Sequence, residues 1–421
     1  MIFRVIIPVL LLTIQWMLYR RALRWLRTVH PSWRWGFWLT TILFAVFNVG
    51  ALYGFILRPR VLDWPPWLIY GGLYPFFFWH TATIFMGLIL LCVALVKLPA
   101  KILVWLAGKL PSSRRKFDQL RSTSEYQKFD AGRRIFLRRS VLALATVSFG
   151  GSAYGMLVGK PGIQLNEAAF RIPTLDPSLS GFTIGLISDI HSSVFMTRKD
   201  MEECVTLVNG LRCDLIVVVG DFVTSTVDEV YPFAEAFSEL RAPLGVYGVT
   251  GNHEYYTENT DLVLREVDAC GVKLLRDDKT VISKNGGAFY LIGVDDIGRS
   301  AGASIKIDKA LGSTPLPIPK ILLCHRPYFL ANAAERNIDL VLSGHTHGGQ
   351  IVLGKFGNTI LAPASFASHY VWGTYTMGKT SMYVSRGIGT VGPPVRINCP
   401  PEITKITLLR PDASTEQNPQ F

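Results

Sequence analysis

From residue 182 onward, short apolar runs alternate with segments of helical spacing, and run after run ends in Asp, His or Asn. The runs are 182–187, 215–219, 245–249, 289–294, 321–323 and 340–342. Helical spacing marks 198–211, 228–241 and 259–270. Alternation of the two periods implies α/β layering. Beyond residue 351, further strand-like runs separated by Gly and Pro indicate a second sheet. A strand end fixes the direction of a side chain, so polar residues there can converge above a sheet edge.

Five of the eight histidines lie in four such patterns: Asp189-Ile190-His191, Gly251-Asn252-His253-Glu254, His325-Arg326-Pro327 and Gly344-His345-Thr346-His347. A fifth pattern, Gly220-Asp221, adds a carboxylate. Carboxylates, amide oxygens and neutral imidazoles suit Mn, Fe or Zn. Asp189 and His191 are two apart, a spacing that shares one face of a regular strand. Gly220 permits close backbone approach, and a single Asp221 carboxylate can bridge two cations. Taken singly, each residue has an ordinary role: a His caps a loop, an Asp caps a helix, an Asn makes a turn. Taken together, seven ligand-type residues at successive run ends imply one dinuclear site, which is a means of breaking phosphate esters. His369 belongs to no pattern and is expected to be structural or solvent-exposed.

The first part of the chain differs in kind. Apolar stretches run over 2–19, 36–57, 67–96 and 141–159, and the middle two are long enough to span a bilayer. Tryptophans 33, 35, 38, 64, 67 and 79 cluster near their ends, as in an aromatic belt. Residues 1–140 carry 20 Lys and Arg against four acids, whereas the remainder carries 23 against 27. The net charge of +12 therefore belongs to the membrane region, which argues against a nucleic-acid partner. The basic segments 20–35 and 97–140 are expected in the cytoplasm by the positive-inside rule. If 141–159 also spans, residues 160–421 lie on the outer face; if it does not, they are cytoplasmic. None of the six cysteines forms a CxxC pair, so a structural zinc knuckle is not expected.

The ordered motifs DxH, GD, GNH[DE], H and GHxH resemble the calcineurin-like metallophosphoesterase superfamily over residues 182–410. The Gly344–Gln350, 383–389 and Pro400-Pro401-Glu402-Ile403 stretches resemble its bacterial membrane-associated branch, and Arg133-Arg134-Ile135-Phe136-Leu137-Arg138 is similar to a twin-arginine export signal. The resemblance implies a four-layer α-β-β-α sandwich with two mixed sheets, preceded by an α-helical transmembrane region. It implies one metal held by Asp189, His191, Asp221 and His347, and a second held by Asp221, Asn252, His325 and His345. Asp221 would bridge them, and His253 would face the substrate phosphate and protonate the leaving oxygen.

The expected organisation begins with a transmembrane region over 1–159, with about four helices and a basic cytoplasmic loop at 97–140. After it come a linker at 160–181, the phosphoesterase domain at 182–410 and a disordered tail at 411–421. The expected function is a phosphoric ester hydrolase in the inner membrane with its catalytic domain on the outer face. It would cleave a phosphodiester, pyrophosphate or phosphomonoester by attack of metal-activated hydroxide, with Mn favoured. A lipid-linked phosphate is the expected substrate, with membrane lipids as partners. The alternative is a non-catalytic membrane sensor or scaffold with a structural dimetal site. Asp295, Asp296 and Glu254 are candidate partners for His191, His325 and His347, and Arg326 is open between phosphate and ion pair. Phe366, Tyr370, Trp372 and Tyr375 are either core or the rim of a lipid-facing mouth.

Overall fold

A run such as Leu215–Val219, five buried apolar residues without alternation, belongs in a sheet covered on both faces. The computed structural model, which describes residues 2–57, 59–157, 162–296, 303–357 and 359–411, places it there. The chain forms two compact units, 1–157 and 158–421.

In the second unit the strands are β1 (Gln164–Arg171), β2 (Phe182–Ile187), β3 (Leu215–Val219), β4 (Val246–Val249), β5 (Val272–Leu274), β6 (Asp278–Lys284) and β7 (Gly287–Gly293). They continue as β8 (Lys320–Leu323), β9 (Leu340–Ser343), β10 (Gly354–Phe356), β11 (Thr359–Leu361), β12 (Gly373–Met377), β13 (Thr380–Val384) and β14 (Glu402–Leu409). One six-stranded sheet has the order β1-β14-β2-β3-β4-β5 and the other β12-β13-β9-β8-β7-β6, with β10 and β11 forming a separate hairpin. Both large sheets are mixed: β2, β3 and β4 run parallel while β14 is antiparallel to β2, and β7, β8 and β9 run parallel while β6 is antiparallel to β7.

Strand alternation builds the layers. Leu186, Val217, Val219 and Val249 face Phe289, Leu291, Ile321 and Leu342 across the inter-sheet core. Their neighbours Ile187, Ile216 and Val218 point outward onto Met201, Val205, Phe233 and Val263 of the helices Arg198–Gly210, Val230–Phe237 and Thr260–Ala269. On the far side, Ile292, Leu322, Val341 and Met382 pack against Ile307, Leu330 and Ala333 of the helices Ala303–Leu311 and Leu330–Glu335. The result is the α-β-β-α sandwich with mixed sheets. Phe182 and Phe289 close its core edge to face at 5.2 Å.

The segment 160–181 is not a simple linker. Gln164–Arg171 is a full edge strand paired in parallel with Glu402–Leu409. The pairing covers the otherwise bare edge of β14, with Phe170 buried. The prolines that signalled a linker, Pro173 and Pro177, fall after the strand.

The first unit contains helices Ile2–Val29, Arg34–Leu57, Tyr74–Ala107 and Ser124–Leu157. Two regions, Arg34–Gly54 and Pro66–Ala107, are long and apolar enough to cross a membrane. Their side chains are largely exposed within the unit, among them Val46, Val49, Leu95 and Val96, as suits lipid contact better than a core. Gln15 donates to the Thr83 hydroxyl at 2.7 Å and accepts from the Trp79 indole at 3.2 Å, a polar link between two helices. Residues 97–140 are helical rather than a loop: they comprise the end of Tyr74–Ala107, the helix Pro111–Ser122 and the start of Ser124–Leu157. The last helix runs unbroken from that basic stretch through residues 141–157, with no proline inside it. Residues 158–161 and 412–421, including nearly all of the expected tail, lie outside the described residues.

Candidate metal centre

Each candidate residue follows the C-terminal end of a parallel strand. Asp189 and His191 follow β2, Asp221 follows β3 and Asn252 follows β4; His325 follows β8, and His345 and His347 follow β9. The regular-strand geometry expected for Asp189 and His191 does not hold, because β2 ends at Ile187. Asp189, His191, Asp221, His345 and His347 all have positive φ, between 51° and 73°. Such left-handed backbone is costly for non-glycine residues and persists where the surroundings over-determine it. Gly220, at φ 76°, makes the turn before Asp221, and a Cβ there would lie 2.6 Å from the His325 ring and from the Gly251 amide nitrogen. At Gly344 a Cβ would lie 2.3 Å from the Asp189 carboxylate. These close approaches admit only hydrogen.

Two groups converge. Ligand-type atoms of Asp189, His191, Asp221 and His347 lie within 4.8 Å of one another, as do those of Asp221, His325 and His345. Asp221 is common to both: its Oδ2 is 3.1 Å from His325 Nε2 and 3.5 Å from His191 Nε2. Imidazole nitrogens face each other at 3.0 Å between His191 and His347 and at 3.3 Å between His325 and His345. Two lone pairs cannot share such a distance without a proton or a cation between them. The Asn252 Oδ1 is buried without a hydrogen-bond partner. Carboxylates, imidazoles and an orphan amide oxygen thus fit a pair of divalent ions.

The electrostatics agree for three of the four imidazoles. Burial pushes the imidazole of His347 down to about 3 and that of His345 to about 2, and holds His191 well below its ordinary value. Neutral imidazole is the ligand form. Burial raises Asp189 to about 6. Burial lowers His325, but the Asp221 and Asp189 carboxylates together outweigh it and raise the imidazole to about 10; burial likewise raises Asp221, but the imidazoles of His325, His253 and His191 together hold it well below the carboxylate range.

The neighbours differ from those expected of the sequence. The His325 Nδ1 donates to the Val219 carbonyl at 2.8 Å, and Nδ1 of His191 and His347 has no partner. Glu254 instead accepts backbone amides of Gly251 and Phe222, both at 2.7 Å, and of Asp221 at 3.2 Å. It ties two motif turns together. Asp295 accepts from Thr250, Tyr255 and Arg276, and Asp296 pairs with Arg326 at 2.6 Å. A free carboxylate goes to the nearest donors, and backbone amides leave no mark in the sequence. Arg326 is thus in an ion pair, with Nη1 3.5 Å from His345 Nε2.

His253 is half-buried beside the centre, its ring 4.5 Å from that of His191 and near perpendicular to it. Its amide donates to Asp221 Oδ1 at 2.9 Å and its Nδ1 bonds the Thr224 carbonyl. Thr224 carries no motif letter, and nothing in the sequence singles it out. A cavity of about 380 Å³ opens beside His345 and His347, lined further by Tyr328, Gln350, Pro363, Ala364 and Val391. That size suits a small organic phosphate. Of the aromatic patch, Phe366 is 92% exposed, while Tyr370, Tyr375 and Trp372 pack on buried clusters. His369 is exposed, away from the two groups. The six cysteines are free.

The family model for the calcineurin-like phosphoesterase matches residues 182–349. A zebrafish (Danio rerio) protein named "Transmembrane protein with metallophosphoesterase domain" is 32% identical over 64% of this chain and 63% of its own length. This chain therefore spans a little under two thirds of that relative. The "Uncharacterized metallophosphoesterase YkuE" of Bacillus subtilis is 30% identical over 66% of this chain and 97% of that protein. "Phosphodiesterase YaeI" of Escherichia coli is 29% identical over 66% of this chain and 99% of its length. The motifs, the sandwich and these similarities together establish that the chain belongs to the calcineurin-like metallophosphoesterase family.

Proposed function

We propose that this protein is a membrane-anchored phosphoesterase acting on a lipid-linked phosphate ester with two divalent ions, Mn favoured. The observation that carries it is the pair of buried groups sharing Asp221. Asp189, His191, Asp221 and His347 would hold one ion; Asp221, Asn252, His325 and His345 would hold the other. When bound, the ions supply positive charge that draws in the phosphate oxygens and lowers the pKa of water held there. The chain's own residues do the rest. Asp221 sets the spacing, and Glu254 holds its turn against that of Asn252. The water oxygen bonds to phosphorus, and the bond from phosphorus to the leaving oxygen breaks. The electron pair stays on that oxygen, His253 in its imidazolium form is placed to give it the Nε2 proton, and the proton lost by the attacking water passes to solvent.

Exposed apolar side chains around the hairpin and the mouth support a lipid-linked substrate: Leu353, Phe356, Leu361 and Phe366 all face solvent. Apolar residues left in water mark an interaction surface. The basic segments of the first unit support a cytoplasmic placement for themselves, and an outer-face placement of the catalytic domain requires that residues 141–157 cross the membrane as well.

The test is turnover by the purified full chain, across Mn, Zn, Fe and Mg, on chromogenic mono- and diesters and on total lipid extract. Metal-dependent hydrolysis together with a changed phospholipid profile is the expected result. No turnover on any ester with any metal would favour a sensor or scaffold. A reporter fused after residue 421 that reads cytoplasmic would refute export.

A further inference from the structure

His253 is held by an atom that is itself held. Its Nδ1 bonds the carbonyl oxygen of Thr224, which can only accept, so Nδ1 carries one proton, and Nε2, which carries the second proton of the imidazolium, is the nitrogen left for a substrate. The Thr224 carbonyl belongs to a short turn, 224–226, whose three successive amides all donate to one oxygen of Glu229, at 2.8, 2.7 and 3.1 Å. The Thr224 hydroxyl further donates to the Ser192 carbonyl at 3.3 Å, one residue beyond His191.

Glu229 is only 3% exposed and makes no ion pair among the described residues. A buried carboxylate without a cation is tolerated when amides satisfy it, and three amides do so here. Glu229 leads directly into the helix Val230–Phe237, whose Val230, Phe233 and Phe237 are fully buried against the sheet. The carboxylate therefore transfers the rigidity of a packed helix to an irregular turn. The Thr226 to Glu229 spacing is that of a capping box, in which the third helical residue reaches back to the capping amide. Here the same carboxylate also takes the two preceding amides, which a cap alone does not need.

We propose that Glu229 is a positioning residue for His253: by fixing the 224–226 turn it sets the Thr224 carbonyl, which holds the His253 ring in one orientation with Nε2 toward the leaving oxygen. The inference rests on the reading of His253 as the group that protonates that oxygen.

Leaving-group dependence separates this role from a structural one. The full chain, Glu229→Gln, Glu229→Ala and His253→Ala are compared, with Mn, on phosphodiesters whose leaving alcohols rise in pKa from nitrophenol upward. Proton donation matters more as the leaving group worsens. His253→Ala is expected to lose about 10²-fold or more on the poorest leaving group and much less on nitrophenol. Glu229→Ala is expected to steepen the dependence in the same direction, by about 10–100-fold at the poor end, the range for loss of a supporting partner. Glu229→Gln keeps an acceptor oxygen and the side-chain shape, should lie between the alanine variant and wild type, and serves if the alanine variant does not fold. If His253→Ala steepens the dependence while both Glu229 variants keep the wild-type slope, or lose all substrates by one factor, the inference is overturned and the reading of His253 stands. If His253→Ala keeps the wild-type slope, that reading fails and the inference with it.

Discussion

Asp221 Oδ2 stands 3.1 Å from Nε2 of His325, a ligand-type atom that reaches it from the other sheet of the sandwich. The carboxylate thus joins strand ends from both sheets at one point. Converting it to an amide keeps the shape and removes the charge. Asp221→Asn is expected to lower turnover of a chromogenic phosphodiester by well over the roughly 10–100-fold typical of losing an outer partner of a metal ligand. A thermal melt close to wild type would show that the fold survives. Activity within tenfold of wild type would rule out the proposed centre.

Removal of metal should be visible in stability as well as in activity. The facing imidazoles at 3.0 and 3.3 Å and the crowded carboxylates are eased by cations. Chelation of the full chain is expected to lower the melting temperature of the phosphoesterase domain, and Mn at about 100 times its Kd to restore roughly 2.7 kcal/mol. Scanning calorimetry with and without chelator checks this. An unchanged melt would mean that the buried cluster is stable bare.

Glu254 is buried and accepts four backbone amides, of Asp221, Phe222, Val223 and Gly251, from two motif turns. Glu254→Ala leaves those donors in an apolar setting, where each unsatisfied group costs about 1–3 kcal/mol. A total loss of about 3 kcal/mol or more in domain stability is expected from these groups together, with weakened Mn binding by titration. A variant as stable as wild type would show that water replaces the carboxylate.

Asp214 links the two sheets away from the centre: it accepts from the Thr183 amide at 3.0 Å and pairs with Lys284 at 2.5 Å. Burial alone would raise its pKa, but Lys284 and Thr183 outweigh it and hold the carboxyl below its ordinary value. A depressed carboxyl stabilises the fold above its unfolded pKa, near 4, and the contribution is lost as pH falls through the folded value. The gap in melting temperature between wild type and Asp214→Asn should therefore be full above about pH 5 and shrink below about pH 4. A gap constant down to acid pH would show that the pair contributes no charge-dependent stability.

Much of this molecule is legible without coordinates. The runs at 182–187 and 215–219 coincide with β2 and β3, because strands buried on both faces are nearly continuous in apolar residues, with the half-buried Thr183 the one polar side chain in the two. The spacing of the polar residues after each run tells which side chains belong together, since a ligand must follow its strand. Contacts carried by the backbone are not legible in this way. β1 hides among prolines because its partner, β14, lies more than 200 residues away. The Val219 and Thr224 carbonyls that orient His325 and His253 have no side-chain signature, although the Thr226 to Glu229 spacing hints at the second.

Sequence by itself determined the α/β alternation and which polar residues end its apolar runs, because apolar period and residue chemistry are local properties; the family and the sandwich entered through the resemblance of the ordered motifs. Only the tertiary structure decided that five of these residues sit in left-handed backbone, that Glu254 serves amides rather than histidines, and that Glu229 fixes the turn at 224–226. Those facts depend on which turns meet when the two sheets pack face to face, and packing is not written in any one segment.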